Sequence, residues 1–437
     1  MDINVAKQGN ANKNTLFTID LNRKCSLFLS LKIGDWMLDV ELVRKDFPFL
    51  KQGRIYLDST ATSLTPEPVL NKMLEYYREY RANVGRGIYK ASQIATEEFE
   101  KARNEVSRLI NAKPEEMVLL RNTSEGINLV ASGIKLKKGD KIVTTTLEHH
   151  SDFIVWQRAS KRSGAALKVV GADSEGFMNL ADFEKAIDDS TKIVAVSQVS
   201  NVLGVKPPVK EIAKIAHEHG ALVLIDGAQS VPHSKVDVKA IGCDFLAFSG
   251  HKMCGPTGAG GLYMRELLLE EVEPLCIGGG TIEDVGLDYY RLKKGAAKFE
   301  AGTPAIAEVI GMGAAASYLM KLGMLEIESH EQKLTKRVVK GLEEIPNLTL
   351  YGPKEPAKRA GIFSFNVGRL HPHDLAMTLD VTAGVMVRSG HHCALPVIKE
   401  VIKAPNGTVR ASVYIYNNNQ DIDTFLATLE EISRTMA

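Results

Sequence analysis

Cysteine is scarce in this chain of 437 residues. The five present, Cys25, Cys243, Cys254, Cys276 and Cys393, include no CxxC pair and follow no regular spacing. That pattern excludes a disulfide framework and fits a reduced, cytoplasmic compartment. Long hydrophobic runs are also missing: no window offers the roughly 18 continuous apolar residues of a membrane helix. Charge of one sign is absent too, with 54 Lys and Arg against 53 Asp and Glu. A net charge of +1 asks for neither nucleic acid nor an anionic membrane, and a small partner is expected instead. The first 36 residues are polar and Asn-rich, then briefly apolar at "CSLFLSLKIGDW", with no A-x-A-like cleavage site. They read as a disordered extension ahead of a start at Met37.

Hydrophobic residues make up 44% and charged residues 24%, an ordinary globular balance, and the length suggests about two to three domains. From about residue 50, β-branched runs alternate with amphipathic helical stretches. Strands are expected at "MVLLR" (117–121), "KIVTTT" (141–146), "KIVAVSQV" (192–199), "ALVLID" (221–226) and "DFLAFS" (244–249). Helices are expected at 152–164 and 209–220. This is the rhythm of an α/β layer with a mostly parallel sheet covered on both faces. Beyond Phe299 the rhythm changes to long helices (305–323, 325–345), a strand "GIFSFNVG", a helix from about His373, then "GVMVRSG", "TVRASVYIY" and a last helix from about Asp421. A smaller α+β domain is expected there, joined through 278–304. No repeat or low-complexity tract interrupts the folded part.

Ligands of open α/β sheets sit beyond the carboxyl ends of the strands, and four expected strands end in conspicuous polar residues. The first runs into Asn122-Thr123-Ser124-Glu125-Gly126 and a helix, a natural anion site, although Thr123 or Ser124 could serve as a plain N-cap. The second ends in Glu148-His149-His150, the fourth in Asp226-Gly227-Ala228-Gln229, the fifth in Ser249-Gly250-His251-Lys252. A phosphate cradle, an imidazole, a carboxylate and a lysine thus share one sheet edge. Pyridoxal 5′-phosphate (PLP) requires that set: an amine for its aldehyde, an anion beside the pyridine nitrogen, and donors for the phosphate. Gly250, Gly255 and Gly258 are expected to let the backbone crowd the cofactor.

"FSGHKMCGPTGAGGLY", "LEHHSDFIVWQ", "VSNVLG", "VLIDGAQS", "FEAGTPAIAEVIGMGAAA" and "VMVRSGHHCALP" resemble the cysteine desulfurase branch of the class-V aminotransferases, more narrowly its Suf-type group. The resemblance runs from about Leu38 to the C-terminus. It implies PLP fold type I: a large domain (54–300) around a mostly parallel, mixed seven-stranded sheet, and a small C-terminal domain (301–437) carrying the cysteine loop. Residues 37–53 are expected to pack with the small domain. It further implies that Lys252 holds the cofactor covalently and moves protons at the substrate's α-carbon, and that His149 stacks on the ring. Asp226 would pair with the ring nitrogen, and Gln229 would bond the ring oxygen. Thr123, Ser124, Ser249 and His251 would hold the phosphate, with Thr303 reaching it from the other subunit of a homodimer. Asn201 and Arg410 would bind the substrate carboxylate.

Cys393 follows Arg388, His391 and His392 closely, and cationic neighbours favour the nucleophilic thiolate. It is expected to take sulfur from L-cysteine as a persulfide, leaving L-alanine, for delivery to iron–sulfur cluster or other sulfur-containing cofactor synthesis. A zinc site would need companion ligands that are lacking, so no metal is expected. Cys25, Cys243, Cys254 and Cys276 read as packing residues. Sixteen residues separate Cys393 from Arg410, a short segment that in the resembled group goes with an ordered loop and a dedicated sulfur-acceptor protein. Gly85, Val205 and "DSTATSL" depart from the group's pattern near the expected entrance or dimer seam. A selenocysteine lyase, a cysteine sulfinate desulfinase, another class-V enzyme, or a scaffold that has lost activity are the alternatives.

Overall fold

The structure, a computed structural model, describes residues Leu38–Met436. The expected N-terminal extension, and Cys25 with it, lies outside the described residues. The larger sheet has seven strands: β1 (Met117–Leu120), β2 (Lys141–Thr145), β3 (Ala166–Val170), β4 (Thr191–Ser197), β5 (Leu222–Asp226), β6 (Phe245–Ser249) and β7 (Gly260–Met264). Their spatial order is β1-β7-β6-β5-β4-β2-β3. Only β7 runs against its neighbours. Two helices bear on the site, α1 (Thr123–Gly133) after β1 and α2 (His150–Ser163) after β2.

The continuous apolar runs follow from burial of both sheet faces. Along β4, Ile193 and Ala195 pack into one core while Val194 and Val196 pack into the other. On β6, Phe245 and Ala247 face one side, Leu246 and Phe248 the opposite one. Two strands escaped the sequence reading for physical reasons. β3 is a largely solvated edge whose run is broken by Lys168. β7 opens with Gly260 and Gly261, poor strand formers that crowding requires. A Cβ on Gly260 would lie 2.8 Å from both Asn122 Cα and the Phe248 carbonyl oxygen, and one on Gly261 would strike the Phe248 ring.

The second sheet is antiparallel, β8 (Leu348–Leu350), β9 (Ile362–Val367), β10 (Arg388–Gly390) and β11 (Thr408–Ser412), in the order β8-β9-β11-β10. Phe363, Phe365, Val409 and Ala411 pack there against Phe425 and Leu429 of the last helix. The "GVMVRSG" run is divided: Val385–Met386 pairs in parallel with Ile55–Tyr56, and only Arg388–Gly390 joins the sheet. The expected connector 278–304 contains an antiparallel hairpin, Ile282–Val285 with Tyr290–Leu292. Near the start of the described chain, Arg44 bonds the Tyr416 carbonyl and Asp421, and Phe47 is fully buried on Tyr416 and Tyr318.

Arg359 pins the loop after β4 to the second sheet. Fully buried, it donates to the carbonyls of Pro353 (2.7 Å), Ile362 (2.9 Å), Tyr351 (3.0 Å) and Leu203 (3.4 Å). Burial pushes its guanidinium down to about 10, yet charged N–H donors still anchor these carbonyls. Arg359→Met strands four buried acceptors and should cost roughly 3 kcal/mol or more. Denaturant unfolding of the variant should show the drop, and a loss below about 1 kcal/mol would deny Arg359 this role.

Candidate active site

The carboxyl ends of β2, β4, β5 and β6 meet β10, β11 and the 391–395 turn around a cavity of about 690 Å³. A space of that size suits a small cofactor with a substrate beside it. It is lined by every site residue expected from the sequence except Thr303, which is exposed and outside its own chain's cavity.

Lys252 ends a single 3-10 turn, Gly250–Lys252, that leaves β6 directly. The turn is possible because a Cβ on Gly250 would lie 2.9 Å from the Ala259 carbonyl oxygen, and one on Gly255 would lie 2.8 Å from that of Gly250. Chain-on-chain packing thus requires glycine at Gly250 and Gly255, while Gly258, at φ +79°, meets only the Glu308 Cγ, at 3.9 Å. Lys252 makes no hydrogen bond or ion pair among the described residues. Burial lowers its pKa, opposed by the nearby Asp226 carboxylate. An amine so placed is available as a nucleophile.

Asp226 closes β5, with Oδ1 accepting from the Ala228 N–H at 2.9 Å. Burial raises its pKa and the Lys252 charge lowers it. Gln229 donates to the Thr60 carbonyl at 2.8 Å, leaving Oε1 buried and unpartnered. His149 caps α2, its Nδ1 accepting from the Ser151 N–H at 3.1 Å. Burial, then the Lys252 charge, push this imidazole down to about 3, so it is a neutral ring.

The helix cap at α1 proves to be Asn122, whose Oδ1 accepts from the Glu125 N–H at 3.0 Å. The alternative reading of Thr123 or Ser124 as the cap is thereby corrected. Their hydroxyls pair instead with Ser249 (2.7 Å) and Ser151 (2.6 Å) at the cavity wall. His251 lies beside them, bonded through Nδ1 to Thr62 at 3.2 Å and held neutral, its pKa pushed down to about 4 by burial and then Lys252.

Opposite this group, Arg410 is buried and donates to the Asn201 carbonyl at 3.0 Å, with Asp58 at 3.5 Å. Its Nε and Asn201 Oδ1 have no partner among the described residues. Asp58 pairs more closely with Arg388, at 2.8 Å. Cys393 is exposed at the rim of the cavity. Of the expected cationic neighbours, His392 supplies no charge, since burial pushes it down to about 2. Cys243 and Cys254 are buried, and burial pushes both thiols up to about 12. Cys276 is exposed, which corrects its reading as a packing residue.

Sequence reasoning missed three contributors. Asp58 joins both arginines. Glu148, fully buried, accepts from the Thr145 hydroxyl (2.5 Å), the Ser197 N–H (2.8 Å) and the Ser197 hydroxyl, fixing the segment that presents His149. His150 bonds the cysteine turn. The doubled histidine in "LEHHS" was the available signal.

The family pattern described as class-V aminotransferase matches residues 55–425. The chain belongs to the class-V aminotransferases. Among them its relatives are cysteine desulfurases. A probable cysteine desulfurase of Pyrococcus abyssi is 51% identical over 399 residues, covering 91% of this chain and 98% of that protein. Another, of Methanothermobacter thermautotrophicus, is 46% identical over 395 residues, covering 90% and 98%. The apo structure of a cysteine desulfurase from Thermococcus onnurineus matches with a TM-score of 0.88 at 51% identity, over 91% of this chain and 98% of that one. An Escherichia coli cysteine desulfurase in its S-sulfonic acid form matches at 0.85 and 31%, over 91% and 99%.

The side chains of this class-V protein fit PLP: a half-buried amine unpaired among the described residues, a carboxylate on the next strand, a neutral imidazole, and hydroxyls at a helix N-terminus. Among the described residues, no helix is long and apolar enough to cross a membrane.

The buried neutral state of His149 has a consequence for stability. The unfolded chain protonates this ring below about 6.5, whereas the folded one resists until about 3. Its contribution is therefore complete above pH 6.5 and declines as the pH falls toward 3. Between pH 6.5 and 5, unfolding of apoprotein should show wild type losing up to about 1.4 kcal/mol per pH unit relative to His149→Phe. Parallel pH profiles for the two proteins would rule out a buried neutral His149.

Proposed function

We infer that this protein is a cysteine desulfurase that uses PLP to convert L-cysteine to L-alanine, leaving the sulfur as a persulfide on Cys393. The observation that carries the reading is the one cavity shared by a half-buried lysine unpaired among the described residues, a carboxylate and an exposed thiol. The persistent resemblance to cysteine desulfurases over nine-tenths of the chain supports it.

When bound, the cofactor supplies an electron sink for charge that develops on the substrate's carbon skeleton. Lys252 is the tether and the proton carrier at carbon, a role suited to an amine whose pKa burial lowers. Asp226 is the anion for the ring nitrogen, and His149 is the neutral face against the ring. Thr123, Ser124, Ser249 and His251 hold the phosphate; Thr303, exposed in this chain, does so for a second copy in a homodimer. Gln229 donates toward the ring oxygen. Arg410, with an unpartnered Nε and only a long contact to Asp58, has donors free for a substrate carboxylate, and Asn201 stands beside it.

The Cys393 thiolate attacks the substrate sulfur. An S–S bond forms, the substrate's Cβ–S bond breaks with its electron pair remaining on carbon, and protonation from Lys252 completes alanine. The short, Suf-like segment after Cys393 suits transfer of the persulfide sulfur to a dedicated acceptor protein.

Purified protein should be yellow, and Lys252→Ala should lose that colour. Cys393→Ser should keep it while sulfide release from cysteine under reducing conditions falls to background. A serine variant that desulfurates cysteine normally refutes the thiol mechanism, and a wild type that takes up no PLP refutes the enzyme.

A further inference from the structure

The turn that carries Cys393 is held in a costly shape. His392 and Cys393 are consecutive non-glycine residues with φ of +52° and +55°. Left-handed backbone at a residue with a Cβ costs roughly 1 kcal/mol or more each, so the conformation persists only where its surroundings impose it. The His391 and His392 rings bond Pro405 and Thr408, and three hydrogen bonds from outside hold the turn's backbone. Asn201 Nδ2 donates to the His392 carbonyl at 2.8 Å. The His150 backbone N–H donates to the Cys393 carbonyl at 2.6 Å. The Leu395 N–H donates to the His150 ring at Nε2, at 3.0 Å.

Two of the three belong to His150, one at the Cys393 carbonyl and one at the Leu395 N–H two residues on. His150 is the first residue of α2, so its N–H has no partner within the helix and is free to bind the turn. Its ring can accept from Leu395 only when neutral. Burial, and secondarily the charge of His391, lower its pKa and support that state. The preceding residue faces the cofactor region while His150 faces the turn, so one helix start fixes both.

We propose that His150 is the positioning residue for the Cys393 thiol, its imidazole Nε2 clamping the Leu395 N–H so that the sulfur stays aimed into the cavity. The assignment rests on Cys393 being the nucleophile. It concerns the ring alone, because the backbone bond to the Cys393 carbonyl survives substitution.

His150→Phe and His150→Ala remove the acceptor, and His150→Gln places an amide oxygen near the Nε2 position. In apoprotein, amide hydrogen exchange over residues 391–397 should quicken in the Phe and Ala variants and return toward wild type in the Gln variant. In the yellow holoenzyme, kcat for alanine formation should fall about 10- to 100-fold in the Phe and Ala variants with KM near wild type, again recovering with Gln. Unchanged exchange in both Phe and Ala variants, or a Gln variant no better than Phe, overturns the assignment. Cys393→Ser separates the two ideas: normal desulfuration by that variant removes the nucleophile reading, while the exchange experiment still decides whether the ring holds the turn.

Discussion

The whole site depends on a half-buried amine that has no partner among the described residues. Lys252 is reached only because β6 runs straight into a tight turn, and the turn closes only because glycine stands where backbone meets backbone at Gly250 and Gly255. Burying an ammonium is expensive unless it is paired or gives up its proton. Asp226, one strand away, offsets part of that cost without forming a direct ion pair, and the remainder appears as a lowered pKa. The fold thereby maintains a nucleophilic nitrogen at the bottom of an open cavity.

Burial sorts the other charges in the same way. His149, His251 and His392 are all held neutral, with desolvation as the leading cause at each. Beneath the cavity, Glu148 is pushed up to about 7 and Asp152 is raised as well, again chiefly by desolvation. Asp226 is the carboxylate of the three that faces both the cavity and Lys252. The other two serve as hydrogen-bonding groups, Glu148 on Thr145 and Ser197, Asp152 on the Trp156 indole at 2.8 Å. The two arginines stand on the opposite wall, where Asp58 partners Arg388 and Arg410.

The central strands were legible in sequence because two-sided burial writes an unbroken apolar run, as in "KIVAV" and "FLAFS". β3 and β7 were not, since β3 is a largely solvated edge strand and Gly260-Gly261 respond to tertiary crowding that no local pattern records. The polar residues at the strand ends could be read because parallel topology forces them to one edge. What hides in sequence is the choice among neighbours. Nothing local says that Asn122 rather than Thr123 caps α1, or that His392 is neutral despite lying one residue from the thiol. The value of His150 is equally non-local, because its partner is 245 residues away.

Depth separates the two reactive groups. Lys252 lies half-buried in the turn that leaves the fully buried β6, whereas Cys393 is exposed on a turn beyond β10, and the same cavity touches both. In the proposed reaction, a substrate carboxylate drawn toward Arg410 would place an amino acid between the two, with its amine toward the floor and its side chain toward the rim. Sulfur leaving such a molecule would move outward, onto a thiol that is exposed. An exposed nucleophile on a free loop would spend much of its time elsewhere. The backbone bonds from Asn201 and His150, on a turn with two left-handed residues, hold the exposed Cys393 beside the cavity instead.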